Sequence, residues 1–183
     1  MTISEVIRYP TMNLLDYLPI VEDFPKPGIL FRDISPLLAD PVAFKYATEC
    51  LSSLFGSHEF THIAGIESRG FIFGSALSLH CQKPFILIRK PNKLPLATHT
   101  ESYGLEYGSD SLQIQQSALT KDARVLILDD ILATGGTILA AAKLIKKAGG
   151  NVYGAATIAQ ITALDGKSFL IKNGINIKTV LTL

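Results

Sequence analysis

The sequence predicts an α/β fold, a parallel β-sheet flanked by helices on both faces. Three observations carry this. The 183 residues suffice for one domain and fall short of two. Short runs that are apolar throughout, such as Phe85 to Ile88 and Val125 to Leu128, have the length and character of strands buried on both sides. Between such runs stand segments with helical spacing of apolar residues, and strands alternating with helices read as βαβ units.

The elements follow in order. Proline is densest early, at Pro10, Pro19, Pro25, Pro27, Pro36 and Pro41. Residues 1–36 therefore read as an irregular flap with one short helix near Met12 to Leu18. Asp40-Pro41 is an N-cap with Pro at the first helical position. Phe44, Ala47, Leu51, Leu54 and Phe55 follow at helical spacing up to Gly56. His62 to Ile66 is a strand, Arg69 to Cys81 a helix and Phe85 to Ile88 a strand. Residues 90–110 hold Pro91, Pro95, Gly104 and Gly108 with few aliphatics, so a long loop is expected there, with a short strand at Leu112 to Ile114. Val125 to Leu128 is a strand. Gly136 to Ala148 is a helix closed by Gly149-Gly150. Val152 to Ile161 is a strand, Leu164 to Lys172 a helix and Ile177 to Leu181 the last strand.

Composition excludes several classes of function. Hydrophobic residues make up 48% and charged residues 18%, so the chain is not a disordered one. Seventeen Lys and Arg against sixteen Asp and Glu give a net charge of +1, so no global field draws nucleic acid or an anionic membrane. Cys50 and Cys81 form no CxxC pair and sit in apolar stretches, which reads as two buried free thiols. Met1 to Pro10 contains Glu5 and Arg8 and no apolar core of a signal peptide. The apolar runs are far shorter than a membrane span. A cytoplasmic location is expected.

In a doubly covered parallel sheet, ligands bind beyond the carboxyl ends of the strands. That points to Glu67-Ser68-Arg69-Gly70, to Arg89-Lys90 and to Asp129 to Thr137. The strongest signal is Val125-Leu126-Ile127-Leu128-Asp129-Asp130-Ile131-Leu132-Ala133-Thr134-Gly135-Gly136-Thr137. An apolar strand ends in two carboxylates, and small residues then lead into a helix. Backbone N–H groups at a helix N-terminus cradle an anion, and glycines let phosphate oxygens come close. A P-loop places Lys here, and the chain has no GxxxxGK[ST]. Carboxylates beside a phosphate cradle suit a ligand with both phosphate and hydroxyls, which describes a ribose 5-phosphate.

Val125 to Thr137 resembles the phosphoribosyl-pyrophosphate signature of the type I phosphoribosyltransferases. Further segments resemble the adenine branch of that family: Phe24 to Pro36, Gly65 to Phe71, Arg89-Lys90 with Lys93-Leu94-Pro95, and Tyr103 with Leu105 to Gly108. The resemblance runs from about Phe24 to Gly166. It implies the type I phosphoribosyltransferase fold, with residues 1–36 as a flap, or hood, over the base site and residues 90–110 as a mobile catalytic loop. It also implies a pentosyltransferase of purine salvage that joins adenine to phosphoribosyl pyrophosphate, giving AMP and pyrophosphate. Mg²⁺ is the implied cofactor, held mainly through substrate and water, and a homodimer the implied assembly, with no nucleic-acid or membrane partner.

The resemblance also assigns residues. Glu67 and Ser68 belong to a pyrophosphate loop that often contains a cis peptide bond other than at proline, and Arg69 serves the pyrophosphate or the base. Arg89, Lys90 and Lys93 supply cations to the departing pyrophosphate. Asp129 and Asp130 hold the sugar hydroxyls, while Ala133, Thr134, Gly135, Gly136 and Thr137 hold the phosphate. Glu106 and Tyr107 match the family's catalytic pair, a carboxyl group managing proton traffic at the purine imidazole. Arg69 is counted with them. Leu30 offers backbone N–H and C=O to the adenine edge, a pattern that a 6-oxopurine reverses. Phe31 stacks on the base, Ile161 covers its other face, and Arg32 anchors the flap or contacts ligand.

Three positions depart from the family's usual pattern. Gln160 stands where Glu is common, Lys167 follows Gly166 where Arg is common, and Pro91-Asn92 replaces a Gly-containing turn. His58-Glu59-Phe60-Thr61-His62 matches HExxH, but a helix is required to bring both imidazoles to one metal. Here Gly56-Ser57 ends a helix and His62 opens a strand, so the two Cα atoms stand about 13 Å apart if extended. Two rival readings are a phosphoribosyltransferase of xanthine or hypoxanthine, opposed by the flap, and a ligand-sensing regulator, opposed by the absence of residues for a DNA-binding extension.

Overall fold

The computed structural model describes residues 12–105 and 108–183, in two compact units, Met1–Ala47 and Thr48–Leu183. The described part of the first unit begins with a short 3₁₀ helix, Leu14–Tyr17, capped by the Asn13 side chain. Strands β1 (Ile20–Val21) and β2 (Phe31–Arg32) then pair antiparallel. Arg32 Nη1 donates to the Leu18 carbonyl at 2.9 Å and the Asp33 N–H to Pro19 at 3.0 Å, which fixes how the hairpin joins the chain on either side. Helix α1 (Ser35–Ala39) follows Asp33, whose Oδ1 accepts from the N–H and the hydroxyl of Ser35. Helix α2 (Pro41–Leu54) starts as its sequence dictates, with Asp40 Oδ1 accepting from Val42 and Ala43 N–H at 2.8 and 3.0 Å.

The second unit is built on a five-stranded sheet of order β4-β3-β7-β8-β9. Its strands are β3 (His62–Ile66), β4 (Phe85–Ile88), β7 (Arg124–Leu132), β8 (Asn151–Gln160) and β9 (Ile177–Thr182). Every neighbouring pair in it is parallel. Helices α3 (Arg69–Cys81), α4 (Gly136–Lys147) and α5 (Gly166–Lys172) connect them. Ile127 and Leu128 of β7, Ala155 of β8 and Leu144 of α4 are fully buried, as strands covered on both faces require. Cys50 and Cys81 are free thiols and only half-buried, more exposed than their apolar context predicts.

Three expectations are corrected. The stretch 90–110 is not loop throughout: β5 (Thr98–Leu105) and β6 (Gly108–Gln115) form an antiparallel ribbon of their own. Its strands are held by ladder bonds more than by burial, so they lack the aliphatic alternation that announces a strand. Leu112 and Ile114 are its fully buried anchors. Strand β7 does not stop at Leu128 but pairs with β8 as far as Leu132 opposite Gln160, so both acids lie inside the ladder. The last helix starts at Gly166, after a 3₁₀ turn at Thr162–Leu164 and Asp165 at φ +52°.

Candidate active site

Strand β7 delivers the chain to a three-residue turn, Ala133 to Gly135, and α4 begins at Gly136. Gly135, the N-cap, sits at φ +85°, a conformation that glycine adopts without steric cost. The first N–H groups of a helix have no partner within it; here they border an open cavity lined by Asp129, Ala133, Thr134, Gly135 and Thr137, among others. Helix α5 braces the turn from behind. A Cβ at Gly166 would overlap the Ala133 carbonyl, and one at Gly135 would come within 3.1 Å of the Gly166 carbonyl oxygen.

Successive residues of a strand point to opposite faces, and this divides the two acids. Asp129 lines the cavity, while Asp130 is 3% exposed and its Oδ2 meets Arg69 Nε at 2.9 Å. Burial, and then the charge of Asp130, push the Asp129 carboxyl well above the usual carboxylate range. Arg69 opens α3, and the helix reaches β7 closely because Gly70 lacks a side chain: a Cβ there would stand 2.5 Å from the Leu128 carbonyl oxygen.

The cations at the ends of β3 and β4 are organised by Glu67. Arg89 Nε and Nη2 donate to its two carboxylate oxygens at 3.1 and 3.2 Å, a forked pairing suited to a guanidinium. The Lys90 N–H adds a bond at 2.9 Å, and Arg89 Nη1 donates to the Lys93 carbonyl at 2.9 Å. Burial acts to raise the pKa of Glu67, but the bonds from Arg89 and the Lys90 N–H outweigh it and hold the carboxyl below its ordinary value. The Glu67–Ser68 peptide is cis. Lys90 Nζ is paired with Asp110 Oδ2 of β6.

The remaining expected site residues lie as follows. Leu30 is exposed, and Phe31 meets Phe24 edge-on, with ring centroids 5.0 Å apart. Both belong to the first unit with Arg32. Ile161 lines an open cavity in the second unit with Gln160, Thr162, Asp165, Gly166, Lys167 and Ser168. Glu106 and Tyr107 lie outside the described residues. The HExxH segment is a turn leading into β3 rather than a helix. Its Glu59 accepts from Tyr153 Oη at 2.5 Å and from the Gly56 N–H at 3.0 Å, a structural use of the acid.

Comparison with known proteins matches the same architecture. The Phosphoribosyl transferase domain family matches residues 34–179. The chain is 64% identical to the adenine phosphoribosyltransferase of Polynucleobacter asymbioticus, over 93% of this chain and 99% of that one. The chain belongs to the adenine phosphoribosyltransferase family. Among solved structures of adenine phosphoribosyltransferases, that from Thermoanaerobacter pseudethanolicus superimposes with a TM-score of 0.89 at 42% identity, covering 93% of this chain and 98% of that one. That from Saccharomyces cerevisiae, complexed with D-2,5-dideoxy-2,5-imino-altritol 1,6-bisphosphate and adenine, gives 0.85 at 34% identity, covering 92% and 96%.

Within this adenine phosphoribosyltransferase fold, two of the departures acquire a local setting. Gln160 Nε2 donates to Thr182 Oγ1 at 3.2 Å, tying the end of β8 to β9. Asn92 takes φ +62°, and its N–H donates to Gln113 Oε1 at 3.0 Å, so the turn after β4 is stitched to β6. Sequence reasoning assigned no role to Gly166, Tyr103 or Asp110, although Tyr103 stands in a resembling segment and Gly166 closes the resemblance. Asp165-Gly166 is a turn dipeptide and a usable signal for the first. Nothing local marks the contact of the other two with Lys90, because it depends on which lysine the folded chain brings to them. Glu67→Gln replaces one acceptor of the Arg89 fork and removes the charge. It is expected to raise KM for phosphoribosyl pyrophosphate about tenfold, read from initial rates; an unchanged KM would show that Arg89 needs no such support.

Proposed function

We infer that the chain joins adenine to 5-phosphoribosyl 1-pyrophosphate, giving AMP and pyrophosphate. The observation that carries this is the cavity at the end of β7, where one carboxylate, Asp129, faces the N-terminus of α4 across a turn of small residues. A sugar phosphate has matching ends for both. In this reading the α4 N-terminus, with Thr134 and Thr137 hydroxyls, takes the 5-phosphate. Asp129 accepts from a ribose hydroxyl. Asp130 serves the same end of the ligand from behind, by holding Arg69.

Bond formation at the sugar carbon expels pyrophosphate, so charge leaves on phosphate oxygens and must be met. Arg89, Lys90 and Lys93 suit that task, with Glu67 orienting the guanidinium. The attacking imidazole nitrogen of adenine loses a proton. Glu106, beside Tyr107, is the carboxylate proposed to receive it. For the base, the family resemblance assigns the backbone donor and acceptor to Leu30 and the covering of its faces to Phe31 and Ile161, while Arg32 bonds the Leu18 carbonyl within the flap.

Mg²⁺ fits this donor set. It keeps several waters and takes one or two carboxylates plus substrate phosphates, and Asp129 offers such a carboxyl group at the cavity. Bound with the substrate, it would neutralise charge on the pyrophosphate, with Asp129 the nearest candidate carboxylate. Among the described residues no helix is long and apolar enough to cross a membrane. A homodimer and a cytoplasmic location complete the reading, on the family resemblance.

The test is direct. Protein, Mg²⁺, phosphoribosyl pyrophosphate and labelled adenine are expected to yield AMP, with hypoxanthine, guanine and xanthine competing poorly. A folded protein that binds the sugar phosphate and makes no AMP would sink the assignment. Equal use of hypoxanthine would overturn the adenine specificity alone.

A further inference from the structure

The Arg89 guanidinium is restrained from several sides. Nε and Nη2 fork onto Glu67 at 3.1 and 3.2 Å, and Nη1 donates to the Lys93 carbonyl at 2.9 Å. A guanidinium carries five N–H donors. Three are thus engaged, and among the described residues one N–H on Nη1 and one on Nη2 remain. They sit on the two terminal nitrogens, whose spacing matches two oxygens of one phosphate group.

The plane of the group has a further support. Arg89 Cζ stands 5.9 Å from the centroid of the Phe71 ring, within the reach of a cation–π contact. Phe71 lies in the first turn of α3 and is half-buried. Its ring meets that of Phe85 on β4 nearly at a right angle, 87°, with centroids 6.1 Å apart. Phe85 in turn fills a slot that two glycines open. A Cβ at Gly65 of β3 would stand 2.6 Å from Phe85 Cζ, and one at Gly74 of α3 would stand 2.6 Å from Phe85 Cε2. In so close a fit the Phe85 ring has nowhere to recede toward β3 or α3, so it backs Phe71 firmly. Packing alone would accept any apolar side chain at position 71. A cation held over the ring is what an aromatic face serves.

We propose that Phe71 is a positioning residue, whose ring, backed by Phe85, sets the tilt of the Arg89 guanidinium so that its two remaining N–H groups meet one phosphate group of the pyrophosphate. The proposal rests on the reading that Arg89 faces the pyrophosphate. In this arrangement Phe71 acts through Arg89 rather than on the ligand. Its effect therefore belongs to ligands that carry a pyrophosphate, and vanishes when Arg89 is absent.

The experiment measures by calorimetry the binding of phosphoribosyl pyrophosphate with Mg²⁺, and separately of AMP. The proteins are the unchanged one, Phe71→Leu, Phe71→Tyr, Arg89→Ala and the double variant Phe71→Leu with Arg89→Ala. AMP shares the sugar-phosphate end and lacks the pyrophosphate. Phe71→Leu is expected to bind phosphoribosyl pyrophosphate about fivefold more weakly and AMP as before. Phe71→Tyr, which keeps the ring, is expected to retain the affinity of the unchanged protein. On the Arg89→Ala background, Phe71→Leu is expected to add no further loss. Unchanged affinity of Phe71→Leu for phosphoribosyl pyrophosphate would overturn the proposal. So would an equal loss for AMP, or the same loss without Arg89, since either makes Phe71 a packing residue alone. If Phe71→Leu does not fold, Phe71→Met, a flexible apolar substitute, carries the same comparisons. An Arg89→Ala protein that binds phosphoribosyl pyrophosphate normally would overturn the reading of Arg89 and the proposal with it. A weakened Arg89→Ala beside an unaffected Phe71→Leu would overturn the proposal alone.

Discussion

Gly166→Ala is expected to lower kcat/KM for phosphoribosyl pyrophosphate about a hundredfold. The added Cβ would overlap the Ala133 carbonyl, in the turn that forms the phosphate cradle. Either α5 or the turn must move. Helix α5 is pinned by Leu170, fully buried in the main hydrophobic core, so the turn yields. A displacement of about 1 Å in a positioning element costs on the order of a hundredfold in rate, while overpacking costs about 1–3 kcal/mol of stability. Gly174→Ala is the control. Gly174 has φ +75° and nothing within 4 Å of a built Cβ, so that variant loses stability through its backbone and leaves the cradle alone. Initial rates at varied phosphoribosyl pyrophosphate, with melting temperatures, separate the two. A KM for Gly166→Ala within twofold of the unchanged protein would show that α5 does not set the cradle.

Asp129→Asn is expected to make the protein more stable and less able to bind phosphoribosyl pyrophosphate. Burial and the neighbouring Asp130 raise the Asp129 pKa, so the folded state favours the protonated form more than the unfolded chain does. Where the native state binds more protons, stability falls as pH rises. The loss begins near the unfolded carboxylate value of about 4 and continues until pH passes the raised folded value. Asparagine removes that loss and keeps an acceptor for the Asp130 N–H, which now bonds Asp129 Oδ1 at 3.0 Å. Melting temperature is expected to rise at pH 7 and to change little at pH 4. Affinity for the sugar phosphate is expected to fall, since an amide cannot ionise, as the carboxyl group can when the ligand binds, to the charged and stronger acceptor for a hydroxyl. A lower melting temperature at pH 7, or unchanged affinity, would contradict the assignment.

Much of this was legible in the residues. His62–Ile66, Arg69–Cys81 and Phe85–Ile88 form the elements that their apolar patterns dictate, because burial on both faces leaves an unbroken signature. The Asp40 cap and the glycine after α4 were readable for the same local reason. The ribbon was not, since Thr98–Leu105 is polar along most of its length and gains its stability from a partner strand. In the site, the cradle is contiguous and therefore visible as a motif. The ion pairs are not: Arg69 with Asp130, Arg89 with Glu67 and Lys90 with Asp110 are choices among several charges that only the folded chain resolves. Two adjacent acids read as one binding pair; in the folded chain Asp129 lines the cavity and Asp130 meets Arg69.

The order of the strands also governs how the chain reaches this state. The first two sheet strands, β3 and β4, are neighbours in both chain and sheet, but β3 also needs β7, where His62 meets Val125. The whole ribbon lies in the intervening chain. Closing so long a segment is entropically costly and slow. On the ribosome, β3 and β4 must wait with one apolar edge open until β7 emerges, whereas β8 and β9 can then add in sequence. The strand that carries Asp129 is thus both the centre of the sheet and the floor of the candidate cavity, so the same residues that complete the sheet also set the turn above it.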